Sequence, residues 1–169
     1  MKKPRVIIIR GPPGVGKSTV AKALRDNIKT AVCFDVDALC ESFGEHPKKQ
    51  SARFLAHEII QYISRKFYTS GYDIIIERFF LEQADIDNIN NLFSKTQYAF
   101  FTFTLCASLN SLINNDSKRS GKQNLGQDVI KLLYSRFINS NVKNPGIIIQ
   151  TDNKSVDMIV EEIGVHLNK

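Results

Sequence analysis

The sequence predicts a three-layer α/β/α sandwich built on a parallel sheet of five strands. Short apolar runs alternate with longer stretches of helical periodicity, which is typical of parallel strands joined by crossover helices. The chain has 169 residues, enough for one sheet covered by helices on both faces. Neither an internal repeat nor a linker interrupts the pattern, so residues 1–169 are expected to form a single domain.

The five predicted strands are the apolar runs at 6–9, 31–34, 73–77, 98–105 and 146–151. Helices are predicted at 18–27, 49–69, 81–93, 108–116 and 129–139, and apolar residues mark a last helix from 156 to 167. Gly71 is expected to follow the end of the longest helix. That helix places five apolar side chains on one stripe: Ala56, Ile59, Ile60, Ile63 and Phe67. Ligands are expected outside the carboxyl ends of the strands.

The segment after the first strand fits the pattern G-x-x-x-x-G-K-[ST]. A strand that ends in a glycine-rich turn and feeds a helix points backbone N–H groups into one concavity, where they hold the oxygens of a triphosphate. Lys17 would reach the β- and γ-phosphates, and Ser18 would be a ligand of Mg²⁺. We therefore expect ATP and Mg²⁺ as cofactors, with the nucleotide bound by Gly11, Pro12, Pro13, Gly14, Val15, Gly16, Lys17, Ser18 and Thr19.

Two aspartates come at the end of the second predicted strand. Asp37 lies twenty positions after Lys17, so one helix and one strand return it to the phosphate-binding edge. A carboxylate there would accept a proton from an attacking hydroxyl as general base, or orient that hydroxyl. The alternative is that Asp37 caps a short helix at 38–43. Asp35, on the same face of the strand, would reach Mg²⁺ through water.

The third predicted strand ends in Glu77 and Arg78. An arginine at the end of a strand near an anion site commonly clamps a phosphate or another substrate oxygen, so Arg78 is a candidate substrate-binding residue. The alternative is an ion pair between Glu77 and Arg78 that seals the edge of the sheet.

A polar segment at about 116–127 is expected to form a short mobile lid. It contains cations that would meet the charge of the transferred phosphoryl group, and small residues that would let the segment close and exclude water. Arg119 is the first candidate for the catalytic cation, followed by Lys122 and Arg136. The alternative is a solvated basic loop.

The composition excludes several classes of protein. No run approaches the ~20 apolar residues of a membrane span, so we expect a cytoplasmic protein with no membrane association. The 3 cysteines have no paired metal-ligand spacing and are expected to be reduced. The net charge of +6 suits an enzyme that handles ATP and a second anion as well as it suits nucleic acid. No long basic run favours nucleic acid as a partner.

These residues resemble the P-loop small-molecule kinases, the group that contains shikimate, gluconate, adenylate and chloramphenicol kinases and the kinase domain of polynucleotide kinases. The resemblance covers nearly the whole chain, through the segments at 11–18, 35–37, 77–79, 116–122 and 151–152. It implies a P-loop NTPase sandwich with the strand order 2-3-1-4-5. It also implies that Asp37 binds or deprotonates an acceptor hydroxyl and that lid arginines stabilise the transition state. The chain departs from the group at Asn114 and Asn115, where arginine is common.

The main hypothesis is an ATP- and Mg²⁺-dependent kinase that acts on a hydroxyl of a small molecule. A nucleoside or nucleoside monophosphate kinase is an alternative, with Arg53 near the start of the long helix as a candidate for binding an anionic acceptor. A P-loop ATPase or nucleotide-dependent switch without an acceptor is another. Phosphorylation of nucleic acid is possible in principle, with Phe79 and Phe80 available to stack a base. The oligomeric state stays open.

Overall fold

The computed structural model of the chain describes residues 3–43, 49–94, 97–121 and 124–168. Of residues 49–54 and 57 it describes the backbone alone. Five strands and seven helices follow one another along this part of the chain, in the order β1 (Arg5–Arg10), α1 (Lys17–Asn27), β2 (Ala31–Asp35), α2 (Val36–Glu41), α3 (Lys49–Thr69), β3 (Asp73–Arg78), α4 (Gln83–Leu92), β4 (Ala99–Cys106), α5 (Leu109–Ser117), α6 (Gln127–Ile138), β5 (Ile147–Gln150) and α7 (Val156–Leu167).

The strands form one parallel sheet in the order β2-β3-β1-β4-β5, as predicted. The first strand lies at the centre, where Ile7 is level with Ile75 of β3 and Phe101 of β4. All six residues of β1 are buried, since helices cover both faces of a parallel sheet. The register therefore carries the end of β1 and the end of β3 to the same level of the sheet.

Alternation along β1 divides the core into two layers. Ile7 and Ile9 face α1 and α7, whereas Val6 and Ile8 face α3 and α4. Each layer is filled by branched and aromatic side chains from the strands and the covering helices. The predicted three-layer α/β/α sandwich is thus confirmed.

The amino ends of β1 and β3 are joined by a buried ion pair between Arg5 and Asp73. Asp73 accepts hydrogen bonds from the Arg5 backbone N–H at 2.7 Å and from its Nε at 2.8 Å, and the Nη2 group also contacts it. This pair lies at the edge of the sheet opposite the glycine-rich loop. It therefore fixes the register without taking part in the site.

Most predicted elements are present, with ends that differ by a few residues. The clearest error is at the second strand, because β2 ends at Asp35 and a helix begins at once at Val36. Asp37 consequently lies in the first turn of α2 instead of on the strand face that it was expected to share with Asp35. The predicted lid was also too long, since Asp116 belongs to α5 and Gln127 begins α6.

Within the described residues, no helix combines the length and apolar character needed to cross a membrane.

We predict that Gly146→Ala destabilises the fold strongly. Gly146 precedes β5 with a φ of 69°, and a Cβ atom there would overlap the carbonyl oxygen of Thr102. Backbone strain and overpacking together should lower the free energy of unfolding by about 2–4 kcal/mol in urea denaturation. Gly71→Ala is the matched control, since Gly71 has a φ of 85° but open space around its Cα, and it should cost only about 1 kcal/mol. Equal losses would contradict this packing argument.

Candidate active site

The glycine-rich loop lies between the end of β1 and the start of α1, as the sequence predicts. The loop packs closely against α5, because a Cβ atom on Gly14 would lie 2.8 Å from the carbonyl oxygen of Leu112. The Gly14 carbonyl oxygen accepts a hydrogen bond of 3.0 Å from Nδ2 of Asn115. Only glycine fits this approach, where its φ is also 82°.

Lys17 is the first residue of α1, and its side chain folds back over the loop. Its Nζ donates a hydrogen bond of 3.3 Å to the carbonyl oxygen of Pro12. Burial lowers the pKa of Lys17 below its ordinary value. The carboxyl groups of Glu77, Asp37 and Asp35 raise this pKa through their charge. The guanidinium group of Arg119 lowers it.

The carboxyl group of Glu77 is the site residue whose importance the sequence analysis missed. Ser18 Oγ donates a hydrogen bond of 2.6 Å to Glu77 Oε1. The Glu77 residue is 3% exposed, and burial raises the pKa of its carboxyl group to about 7. The neighbouring carboxyl of Asp35 raises the pKa further, while the Ser18 hydrogen bond and the charge of Lys17 oppose the rise. No residue spacing indicates that the Glu77 side chain turns toward Ser18 instead of pairing with Arg78.

Asp35 lies beside Glu77, since the two are opposite residues in the register of β2 and β3. Its side chain also caps α2 by accepting a hydrogen bond of 2.9 Å from the backbone N–H of Ala38. The cap that was considered for Asp37 is therefore supplied by Asp35. Asp37 is exposed in the first turn of α2, and its charge raises the pKa of Lys17.

Arg78 does not pair with Glu77. Its Nη1 lies 3.8 Å from Oδ2 of Asp85 on α4, and its guanidinium carbon lies 5.8 Å from the centroid of the Phe80 ring. Such a long, partly exposed ion pair contributes little to stability, so the guanidinium group can exchange Asp85 for a stronger anion. The alternative of an ion pair between Glu77 and Arg78 was wrong, because Arg78 pairs with Asp85 instead.

The two phenylalanines proposed to stack a base are engaged within the protein. Phe80 is fully buried in the core layer that faces α3 and α4. The Phe79 ring stacks against Phe137 of α6, with 6.0 Å between the ring centroids. Phe80 is therefore not available for a nucleic-acid base, and the aromatic argument for nucleic acid is weakened.

The lid segment contributes Arg119, which is exposed and lies two residues beyond the end of α5. Its charge lowers the pKa of Lys17, and its role as the catalytic cation stays a prediction. Arg136 is exposed near the end of α6. Two candidates cannot be placed: Lys122 lies outside the described residues, and Arg53 belongs to the part of α3 whose side chains are not described.

Arg10, at the end of β1, is a second residue that the sequence analysis missed. It is 2% exposed, and its Nη2 donates hydrogen bonds to the Phe80 carbonyl oxygen at 3.0 Å and to Ser140 Oγ at 3.1 Å. Its guanidinium carbon lies 4.6 Å from the centroid of the Phe137 ring. An arginine that ends an apolar strand immediately before the loop is the only signal that the sequence offered. Arg10 thus ties the start of the loop to the end of α6.

A family model described as an AAA domain matches residues 6–138. The chain belongs to this AAA domain family. No curated protein matches the chain in sequence.

Solved structures share the fold of this AAA domain over nearly its whole length. A candidate kinase from Chloroflexus aurantiacus has a TM-score of 0.77 at 20% identity, covering 99% of this chain and 98% of that one. The gluconokinase from Sinorhizobium meliloti has a TM-score of 0.67 at 15% identity, with 99% and 98% covered. The APS kinase of Mycobacterium tuberculosis, in complex with AMPPNP and APS, has a TM-score of 0.70 at 13% identity, with 100% of both chains covered. The resemblance to the P-loop small-molecule kinases is thereby confirmed at the level of the fold.

We predict that Glu77→Gln changes how stability depends on pH. Folded Glu77 keeps its proton up to about pH 7, whereas an unfolded glutamate loses it at about pH 4.3. The folded state thus binds more protons between these values, so the wild-type protein loses stability as pH rises through them. Relative to wild type, the variant should gain on the order of 1–3 kcal/mol between about pH 5 and about pH 8.

The measurement is urea unfolding at both pH values, without nucleotide or divalent cation. Glu58→Gln on the exposed face of α3 is the control, and its stability should run parallel to that of the wild type. The same parallel course for Glu77→Gln would show that Glu77 is already ionised at low pH.

Proposed function

We propose that this AAA domain is an ATP- and Mg²⁺-dependent phosphotransferase that moves the γ-phosphoryl group of ATP to a hydroxyl of a small-molecule acceptor. One observation carries the proposal: the charges of three carboxyl groups and one arginine act on Lys17 of the phosphate loop, and one of these carboxyl groups accepts a hydrogen bond of 2.6 Å from the neighbouring Ser18. Phosphoryl transfer requires cations for the moving group, oxygen ligands for the metal and a group that receives the hydroxyl proton. The described residues supply each of these, and the alternatives lack a comparable argument.

The oxygen atoms around Ser18 fit Mg²⁺. Ser18 Oγ and Glu77 Oε1 lie 2.6 Å apart, and the carboxyl of Asp35 is beside them. Oxygen donors are those that Mg²⁺ prefers, and its sites usually combine one or two carboxylates with phosphate oxygens and water. Among the described residues, no group of three His, Cys, Asp or Glu side chains could hold a metal by itself, so phosphate oxygens and water would have to supply the remaining ligands here. We propose that Ser18, Asp35 and Glu77 would hold the ion, which would supply positive charge to offset that of the phosphate oxygens.

Asp37 is the group proposed to receive the proton. It lies in the first turn of α2, its side chain is exposed, and its charge reaches Lys17. In the proposed step, the acceptor oxygen forms a bond to the γ-phosphorus and the bond to the β–γ bridging oxygen breaks. The proton of the acceptor hydroxyl passes to the Asp37 carboxylate, and ADP leaves with the electron pair of the broken bond.

Lys17 and Arg119 would stabilise the charge on the phosphoryl oxygens during this step. The Lys17 ammonium group needs only to exchange its long contact with Pro12 for a phosphate oxygen. Arg119 is exposed, so a bound nucleotide can order its side chain without displacing another partner from the core. Arg78, whose contact with Asp85 is weak, is proposed to bind an oxygen of the acceptor.

The test is ADP release with Mg²⁺-ATP in the presence of a panel of acceptors: nucleosides, nucleoside monophosphates, sugars, aminoglycosides, chloramphenicol and a 5′-hydroxyl oligonucleotide. We expect strong stimulation by one class of small hydroxyl compound. Lys17→Ala, which removes a phosphate contact, should abolish the stimulated rate. Stimulation by monophosphates would favour a nucleotide kinase, and ATP binding without stimulation by any acceptor would favour an ATPase or switch.

We predict that Asp37→Asn lowers kcat by ~10²-fold or more with a hydroxyl acceptor, because the amide cannot take up the proton. The affinity for ATP should change little, since Asp37 is exposed and forms no ion pair with Lys17 within the described residues. Steady-state kinetics and ADP binding measure the two effects separately. Glu41→Gln, an exposed carboxyl one turn further along α2, is the matched control and should leave both unchanged. Turnover near the wild-type rate in Asp37→Asn would remove the base assignment.

A further inference from the structure

Two consecutive residues in the last turn of α5 hold different parts of the site. Nδ2 of Asn115 donates a hydrogen bond of 3.0 Å to the carbonyl oxygen of Gly14 in the phosphate loop. The Asp116 carboxylate accepts backbone N–H groups from Leu125 at 3.0 Å and from Gly126 at 2.9 Å. The end of α5 therefore contacts the phosphate loop on one side. On the other side it contacts Leu125 and Gly126, where the lid segment meets α6.

The Asn115 contact bears on how the loop presents its N–H groups to phosphate. Holding the Gly14 carbonyl fixes the plane of the peptide bond that also carries the Val15 N–H group. This N–H donates to the Pro12 carbonyl over 3.4 Å, a length at which a hydrogen bond is weak. A phosphate oxygen can therefore take over the Val15 N–H group, provided that the peptide plane keeps its orientation.

The Asp116 carboxylate joins the two ends of the lid segment. Asp116 is 2% exposed and forms no ion pair with any described residue, so its charge is satisfied by backbone N–H groups at the start of α6. Its own carbonyl oxygen accepts the backbone N–H of Arg119 at 2.9 Å. Both the end of the lid and the backbone of its first arginine are thus held by one residue.

We infer that Asn115 and Asp116 are positioning residues that couple the phosphate loop to the lid, so that a bound triphosphate and Arg119 are held in register. Asn115 holds the loop through its hydrogen bond to the Gly14 carbonyl oxygen. The carbonyl oxygen of Asp116 holds the backbone of Arg119, so a shift of α5 would move both the loop and Arg119. The inference rests on the proposed function, since Arg119 needs this placement only if it meets a phosphoryl group.

The test compares Asn115→Leu with Asn114→Leu. Both substitutions replace an amide by an apolar group of similar size at an exposed position of the same helix, but the Asn114 side chain makes no hydrogen bond within the described residues. Two quantities are measured in the full chain. The first is the affinity for ADP with Mg²⁺, and the second is the rate of tryptic cleavage after Lys118 or Arg119, identified by mass, with and without saturating AMPPNP and Mg²⁺.

We expect AMPPNP to slow cleavage of the wild type and of Asn114→Leu to the same extent. Asn115→Leu should bind ADP roughly 5-fold more weakly, as loss of one hydrogen bond implies, and should lose most of the protection even at saturating nucleotide. Asp116→Asn, which keeps the size of the side chain but can satisfy fewer N–H groups, should be cleaved faster without nucleotide while its ADP affinity stays within about 2-fold.

Three results would overturn the inference. Protection of Asn115→Leu equal to that of Asn114→Leu would show that the loop and the lid are not coupled through Asn115, whatever the affinity. Failure of AMPPNP to protect the wild type would show that the lid does not respond to nucleotide. Unchanged cleavage of Asp116→Asn would remove Asp116 from the coupling. Absence of any ADP binding by the wild type would instead contradict the proposed function, so the two failures are distinguishable.

Discussion

The hydrogen bond between Ser18 and Glu77 is the contact on which the site depends. It joins the first turn of α1 to the end of β3, so it requires the register that sets β1 beside β3. A carboxyl group as buried as that of Glu77 is costly to ionise without partners. Ser18 and Lys17 reduce that cost, and a divalent cation would reduce it further. The buried Glu77 carboxyl group thus lies where the metal ion of the proposed nucleotide complex would offset its charge.

The phosphate loop is held at two points, one just before it and one within it, by the part of the chain that carries the lid. Arg10, immediately before the loop, contacts Ser140 and the Phe137 ring at the end of α6. Gly14, within the loop, contacts Asn115 at the end of α5. The helices on either side of the lid are therefore both attached to the loop. A shift of either helix would therefore reach the backbone of the loop.

Much of this arrangement could be predicted from the sequence, because it depends on local patterns. The glycine-rich loop, the apolar strands and the acidic residues at strand ends have signatures within a few residues. The errors concern choices that tertiary packing makes. Asp35 caps α2 because the helix begins two residues earlier than its pattern indicates, and Phe80 is buried in the core after β3. The partners of Arg10 lie up to 130 residues away in sequence, so no local pattern could identify them. The acceptor depends on a pocket whose shape local patterns do not encode.

Arg10 also implies a compromise between two properties of the protein. Its guanidinium group is buried among neutral partners in the described chain, and its Nε has no hydrogen-bond partner. An apolar side chain of similar length, such as methionine, would avoid the cost of removing a charge from water and would pack against Phe137. Selection for thermal stability alone would therefore favour replacing Arg10, and the loop would lose the contacts that anchor it. Variants selected for stability would then differ at this position from variants selected for the proposed binding of phosphate.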